Sequence, residues 1–341
     1  AFIVKDLTEA AQVLPQTYPA ADLGRVTKGG ALGLLSKVYL YMKDYPKARA
    51  AAEEVINSGE FKLLGGSSLP NKSFGDLFTY AGNNNEESIF ALQWKGDGNY
   101  GSASNNNTQF GISNGSISTS NATYGGVFGP SQDILNLYSS SDVRRKETIM
   151  LPGDVYPNVK AKIGSNFGPL VVPAADLIGG QGAGAAIKKY CIGVVNGDVT
   201  GPADGWGMMN NNTYIMRYAE LLLIHAEAVL AGASSTADAS ALKSLNAVRN
   251  RAGLNSVSSF TFDDLFTERR KELAFEGDYW FDLGRLPRAK AIAIMSAQNR
   301  GNMWGAEYFT PDDADFSLPY PTNDVIKNPK LLEAPVPYVF K

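Results

Sequence analysis

The chain has 341 residues, 44 % of them hydrophobic, which is enough to bury a real core. Its 31 Lys and Arg against 34 Asp and Glu leave no basic stripe for nucleic acid and no polybasic membrane patch, and make acidic polymers poor ligands on electrostatics alone. One cysteine, Cys191, excludes an internal disulfide and reads as a small, partly buried apolar residue, and no run approaches the ~18 apolar residues of a membrane span.

The first zone, up to about Gly65, reads as helical. An apolar-rich run from Ala31 to Met42 is broken at Asp44-Tyr45-Pro46. Pro46 fits a first helical turn, where its missing N–H would be unpaired anyway, and Gly59 suits a left-handed C-terminal cap. Leu32, Leu35, Ser36, Tyr39, Ala48, Ala52 and Val55 fall close to the tetratricopeptide pattern of large, aromatic and small residues where two helices touch. The terminal Pro of that pattern is replaced by Glu60. A single such unit cannot bury its own apolar faces, so helical neighbours are expected elsewhere in the chain.

The middle zone, 66–212, is rich in Gly, Asn and Ser, as in Asn83-Asn84-Asn85 and Asn105-Asn106-Asn107. Short apolar pieces such as Ser88–Trp94 read as isolated strands. Aromatic residues continue through it, which argues for ordered loops with a binding surface. Two motifs here fail on context. Gly111-Ile-Ser113-Asn-Gly115 has the string of a hydrolase nucleophile elbow but no strand before it or helix after it. The glycine run Gly179–Ala185 lacks the strong strand a dinucleotide loop needs and reads as a flexible surface loop.

The third zone begins near Tyr214. Tyr214–Ala231 is apolar around most of its circumference and reads as one buried helix. Ser235 and Asp238 have capping-box spacing for a next helix ending at Gly253. Thr261 and Asp264 start a third, with Phe260 and Leu265 placed as a hydrophobic staple. The only histidine, His225, lies mid-helix without a partner histidine, so it reads as a satisfied helix residue rather than a metal ligand.

Glu268, Glu272 and Glu276 repeat every fourth residue and share a helical face, where like charges repel. They suit either acid–base chemistry or an ion-pair network with Arg269, Arg270, Lys271 and the arginines of adjacent helices, Arg217, Arg249 and Arg251. Hydrolytic carboxylates face each other across a cleft from separate elements, which favours the network. Trp280-Phe281-Asp282-Leu283 reads as a continuation of the same helix, with Trp280 structural.

The segments MRYAELLLIHAEAVL (216–230), LNAVRNRAGL (245–254) and ERRKELAFEGDYWFDLGRL (268–286) closely resemble the C-terminal signature of the SusD/RagB family of Bacteroidetes nutrient-binding lipoproteins. Gly24-Arg-Val-Thr-Lys-Gly29 with the following hairpin looks like the family's tetratricopeptide region. Leu318-Pro-Tyr-Pro321 with Asn328-Pro329 looks like its closing segment, where Ile is more usual than Tyr320. The resemblance implies a mainly α fold in which tetratricopeptide-like hairpins and C-terminal helices carry long irregular loops and a few short strands. The expected organisation is one domain, 1–341, made of a hairpin region 1–65, a loop-rich binding region 66–212 and C-terminal helices with a tail, 213–341. The domain is expected to be short at its front, since the family's signal peptide, lipidated cysteine and earlier helices have no counterpart here.

The resemblance further implies a non-catalytic outer-membrane, cell-surface protein, held by a lipid anchor. Such a protein binds oligosaccharide or polysaccharide and caps a SusC-like TonB-dependent transporter; the residues themselves offer no cofactor motif and no His or Cys set for a metal. A tetratricopeptide adaptor for peptides is the second reading, and a glycoside hydrolase the third. Because flat aromatics stack on the apolar faces of sugars while amides bond hydroxyls, Trp94, Tyr100, Phe110, Tyr124, Trp206 and Trp304 are the candidate platform. Asn105, Asn106, Asn107 and Gln109 are the candidate hydroxyl partners. No family motif fixes these positions.

Overall fold

A computed structural model describes residues 2–94, 110–112, 126–163, 166–178, 182–191, 210–301 and 305–333. The chain opens with three helices, α1 (Phe2–Val13), α2 (Lys28–Tyr41) and α3 (Tyr45–Ser58). Thr27 Oγ1 accepts the Gly30 amide at 3.1 Å and so caps α2. Asp44 caps α3, Pro46 lies in its first turn, and Gly59 closes it in the left-handed conformation at φ 68°. The expected hairpin is therefore α2–α3, with Leu32, Leu35 and Ser36 buried on one helix and Ala48, Ala52 and Val55 on the other.

The middle of the chain contributes β1 (Ser88–Leu92), α4 (Gln132–Leu135), α5 (Arg144–Thr148), β2 (Ile149–Met150), β3 (Val155–Ile163), β4 (Asn166–Val171), α6 (Ala175–Ile178) and β5 (Ala186–Ile187). Then come β6 (Thr213–Arg217), α7 (Tyr218–Leu230), β7 (Ser235–Thr236), α8 (Ala239–Arg251), β8 (Phe260–Thr261), α9 (Phe262–Glu272), α10 (Asp278–Gly284), α11 (Arg288–Ser296) and α12 (Thr322–Lys327). The strands form two-stranded antiparallel ribbons, β1 with β6, β2 with β5, β3 with β4, and β7 with β8. The architecture is mainly α, with short strands that pin loops to helices.

Helix α7 is the axis of the fold. Leu221, Ile224 and Ala228 pack against the α1–α3 helices, while Leu222, Leu223, Ala226 and Leu230 pack against Leu245 and Val248 of α8 and Leu265 of α9. A helix apolar on nearly every side is stable only with neighbours all round, and each fully buried Leu contributes about 1.5–3 kcal/mol. The α2–α3 hairpin finds in α1 and α7 the helical neighbours its sequence requires.

Four local readings change. Residues 214–217 are strand rather than helix, because Tyr214 and Met216 pair with Ala91 and Phe90 across β1. Asp238 alone caps α8, its carboxylate accepting from Ser240 N at 2.8 Å and Ala241 N at 3.2 Å, while Ser235 is taken up in β7. The row of glutamates outlasts its helix: Phe275 at φ 63° and Gly277 at φ 99° break the chain before α10, so Trp280 begins on a separate axis. The glycine run is not a free surface loop over its described part, since Gly182, Gly184 and Ala185 are buried, with the short helix α6 before them. By contrast Thr261 and Asp264 form the expected capping box on α9, and Phe260 and Leu265 lie buried together.

Candidate functional site

The acidic row is held by basic residues from four elements. Glu272 faces Arg144 Nη1 at 2.9 Å and Arg217 Nη1 at 3.0 Å, and also binds Arg251. Glu268 pairs with Arg249 at 3.0 Å and Arg144 at 2.7 Å. Glu276 pairs with Arg217 and Lys189, at 2.7 and 2.8 Å. Burial alone would raise the Glu276 carboxyl, but the Arg217 guanidinium and Lys189 ammonium hold it below the usual range. Every member of the row is thus committed to structure. Of the neighbours on the row's own helix, Arg269 turns instead to Asp282 and Glu220, and Arg270 to Asp133. Arg144 and Lys189 supply charges that the local sequence did not reveal.

Other singled-out residues are likewise occupied. His225 Nδ1 lies 2.8 Å from Ser244 Oγ, and desolvation lowers its pKa. The Cys191 thiol is buried, donates to Ile187 O at 3.2 Å, and is pushed up to about 12 by that burial. Trp280 stacks on Phe316 with ring centres 5.6 Å apart, and the Arg288 guanidinium lies 3.7 Å from the centre of the Phe316 ring. Trp280 is nonetheless 46 % exposed.

A cleft of about 710 Å³ opens between the segment before α2, the turn 79–86 and β1. Tyr18, Phe61 and Phe90 give it aromatic walls, and Asn83, Asn84, Asn85 and Gln93 give it amides. These amides form an ordered set. Asn84 Nδ2 donates to Gln93 Oε1 at 2.9 Å, and Gln93 Nε2 returns a bond to Asn84 Oδ1 at 3.0 Å. Asn212 Nδ2 donates to Gln93 Oε1 at 3.0 Å, and its backbone N–H donates to Asn83 Oδ1 at 2.8 Å. Asn85 donates to the Tyr214 hydroxyl at 2.6 Å and accepts the Glu87 amide at 2.8 Å.

That last bond links the site to the ion-pair core. Glu87 is fully buried and receives Arg217 Nη1 at 2.6 Å and Arg251 Nη1 at 3.1 Å. The turn carrying the asparagines is therefore anchored from behind by charges with no access to water. Low-dielectric burial makes such a network costly to disturb.

Trp94 follows directly on Gln93. Its indole N–H donates to Thr213 Oγ1 at 2.9 Å and its backbone N–H to Asn212 Oδ1 at 3.4 Å, so the ring edge is fixed. Phe110 packs between Phe128 and Phe275, with centroids 6.5 and 6.2 Å away, and borders two apolar clusters. Tyr100, Asn105, Asn106, Asn107, Gln109, Tyr124, Trp206 and Trp304 lie outside the described residues. Gln93 and Asn212 escaped the sequence reading. Gln93 is exposed just beyond the end of β1 and Asn212 lies in the run Asn210-Asn211-Asn212, so no local pattern marks either as part of one set.

Among the described residues, no three His, Cys, Asp or Glu side chains are placed to hold a metal, and no helix is long and apolar enough to cross a membrane.

The comparisons with known proteins agree on one family. Residues 86–336 match the model of the SusD family. A SusD-like protein of Bacteroides ovatus is 31 % identical over 393 aligned positions, which cover 99 % of this chain and 66 % of the relative, so the chain spans about two thirds of that protein's length. A solved structure with xylogluco-oligosaccharide matches with a TM-score of 0.83 at 28 % identity, across 100 % of this chain and 73 % of the other. Surface glycan-binding protein A of Bacteroides thetaiotaomicron, in complex with laminarihexaose, matches with a TM-score of 0.68 at 25 % identity, across 96 % of this chain and 67 % of the other. With the family's model matched over most of its length, the chain belongs to the SusD family.

Proposed function

We propose that this protein is a non-catalytic glycan-binding protein of the cell surface, which holds an oligosaccharide for delivery to a SusC-like TonB-dependent transporter in the outer membrane. The observation that supports this reading is the ordered amide set beside Trp94. Amides both donate and accept, as sugar hydroxyls do, and an indole with its N–H occupied offers its faces to the apolar side of a sugar ring. The oligosaccharides held by the two solved relatives favour the same ligand class. Tyr100, Tyr124, Trp206 and Trp304, with Asn105, Asn106, Asn107 and Gln109, extend the proposed platform on the same chemistry. The packing of Phe110 against Phe128 and Phe275 suits an anchor for this part of the chain.

Non-catalytic action is favoured by the fate of the acidic row, whose carboxylates are consumed by buried arginines rather than facing a cleft. The test pairs a binding measurement with a hydrolysis assay on one panel of oligosaccharides. Binding without turnover, weakened about tenfold or more by Trp94→Ala, is the expected result. Turnover that survives Trp94→Ala would overturn the proposal. Delivery is tested by co-purifying the protein with a co-expressed SusC-like transporter; failure to associate in the presence of bound glycan counts against that part.

A further inference from the structure

We infer that the cleft between Gly24 and Gln93 selects neutral, hydroxyl-rich oligosaccharides over uronate- or sulfate-bearing ones, an inference that rests on the glycan-binding reading above. Recognition of an anionic sugar needs a cation aimed into the site, best an arginine fork that meets the carboxylate or sulfate with two bonds. The cleft lining contains two cations, Arg25 and Lys72, and each faces a carboxylate that offsets its charge. Arg25 Nε donates to Asp22 Oδ1 at 2.8 Å, and Lys72 Nζ donates to both oxygens of Glu86 at 2.7 and 2.6 Å. Bonding to Lys72 holds the Glu86 carboxyl below the usual range, so it stays ionised and keeps Lys72 occupied at neutral pH.

The lining carries Glu60, Asp76 and Glu86 against those two cations, so its formal charge is negative. Nearby arginines offer no reserve. Arg217 and Arg251 lie behind the asparagine turn, but both are sealed against Glu87 and Glu272 in the interior. The residues outside the described ones do not reverse the balance in sequence terms either: their charged side chains are Lys95 and Lys341 against Asp97, Asp198 and Asp204. An anionic ligand entering the cleft would lose its hydration without gaining a counter-charge, a poor exchange. Neutral hydroxyls lose less water and find amides that reciprocate.

The experiment titrates the intact chain with neutral β-glucan and xyloglucan oligosaccharides and, in parallel, with oligogalacturonates and a sulfated galactan oligosaccharide. Neutral binding with the acidic sugars weaker by about tenfold or more is the expected result. Equal or tighter binding of an acidic oligosaccharide overturns the inference and leaves the glycan-binding reading standing. No binding to any member overturns both. A second arm releases the two cations with Asp22→Asn and Glu86→Gln together, at positions whose side chains are about two-fifths exposed and tolerant of the change. The ratio of acidic to neutral affinity should rise about tenfold and fall back with added salt. An unchanged ratio would show that these pairs do not set the selectivity, and would overturn the assignment.

Discussion

Gly24 and Gln93 are packed so closely that a β-carbon on Gly24 would stand 2.5 Å from Gln93 Cδ. Gly24 also holds a left-handed backbone at φ 95°, so glycine serves twice, once for the turn and once for the approach. Gly24→Ala should push Gln93 out of its bonds with Asn84 and Asn212 and weaken oligosaccharide binding about tenfold. Gly153→Ala is the control. Gly153 has φ 85° but nothing within 4 Å of its β-carbon position, so it should lose about 1 kcal/mol of stability without loss of affinity. Titration calorimetry and thermal unfolding of both variants check this; equal affinities would dissociate Gln93 from binding.

The buried ion network makes the second prediction. Removing the Glu272 carboxylate with Glu272→Ala strands Arg144, Arg217 and Arg251 in the interior, with their charges only partly met by Asp142, Glu87, Glu268 and Glu276. Breaking a buried pair by deleting one partner costs about 3–5 kcal/mol, most of it the uncompensated charge. Urea unfolding should register a loss of that order. A loss under about 1 kcal/mol would mean that the network relaxes freely, contrary to its burial.

The residues legible in the sequence were those whose partners lie close along the chain. Thr261 bonds Asp264 three residues on, and Gly59 ends the helix that precedes it, so local chemistry settled both. The glutamate row announced a need for arginines, and Arg217, Arg249 and Arg251 met it. Tyr214–Arg217 misled because its alternation of buried and exposed residues is short and runs straight into an apolar helix. Only pairing with β1, more than 120 residues earlier, makes it a strand. Arg144 is equally remote, 128 residues from Glu272. The amide set draws on three separate stretches, 83–85, 93 and 210–212, and no spacing rule joins them.

Acid should unfold the protein through its paired carboxylates. For Glu276 and Asp282, burial would raise the carboxyl, but Arg217 and Lys189, and Arg269 and Arg285 respectively, hold each below its usual value. A carboxyl lowered in the folded chain contributes stability that is present above its unfolded pKa and is lost as pH falls through the folded one. Glu220 works the other way: its burial outweighs Lys37 and Arg269 and raises its carboxyl, so protonating it relieves a cost. With more carboxyls lowered than raised in this core, the melting temperature should hold to about pH 5 and fall steadily below about pH 4. A melting temperature that rises on acidification would contradict the pairing. Asp282→Asn should flatten the acid limb.

Lys189 gives the last prediction, with the opposite dependence. Burial pulls its pKa down to about 8 against the attraction of Glu276, and the repulsion of Arg217 adds to that lowering. Its ammonium donates to Glu276 Oε1 at 2.8 Å and to Glu272 O at 3.0 Å, and it lies 4.9 Å from the Phe78 ring centre and 5.2 Å from that of Phe74. In the unfolded chain the same lysine holds its proton to about pH 10.4. Between those two values the unfolded state binds more protons than the folded one, so the contribution of Lys189 to stability rises with pH. Below about pH 8 the cost of burying the charged form is present in full. Lys189→Met removes this titration while keeping the apolar stem between the rings and leaving Glu276 with Arg217. The melting temperature of the native chain minus that of the variant should therefore increase from about pH 7.5 to about pH 10. Taking the difference cancels the buried tyrosines Tyr190 and Tyr214, whose raised pKa values would otherwise depress stability in the same alkaline range. A flat or falling difference would mean that Lys189 keeps its proton in the fold, with the charge of Glu276 outweighing desolvation.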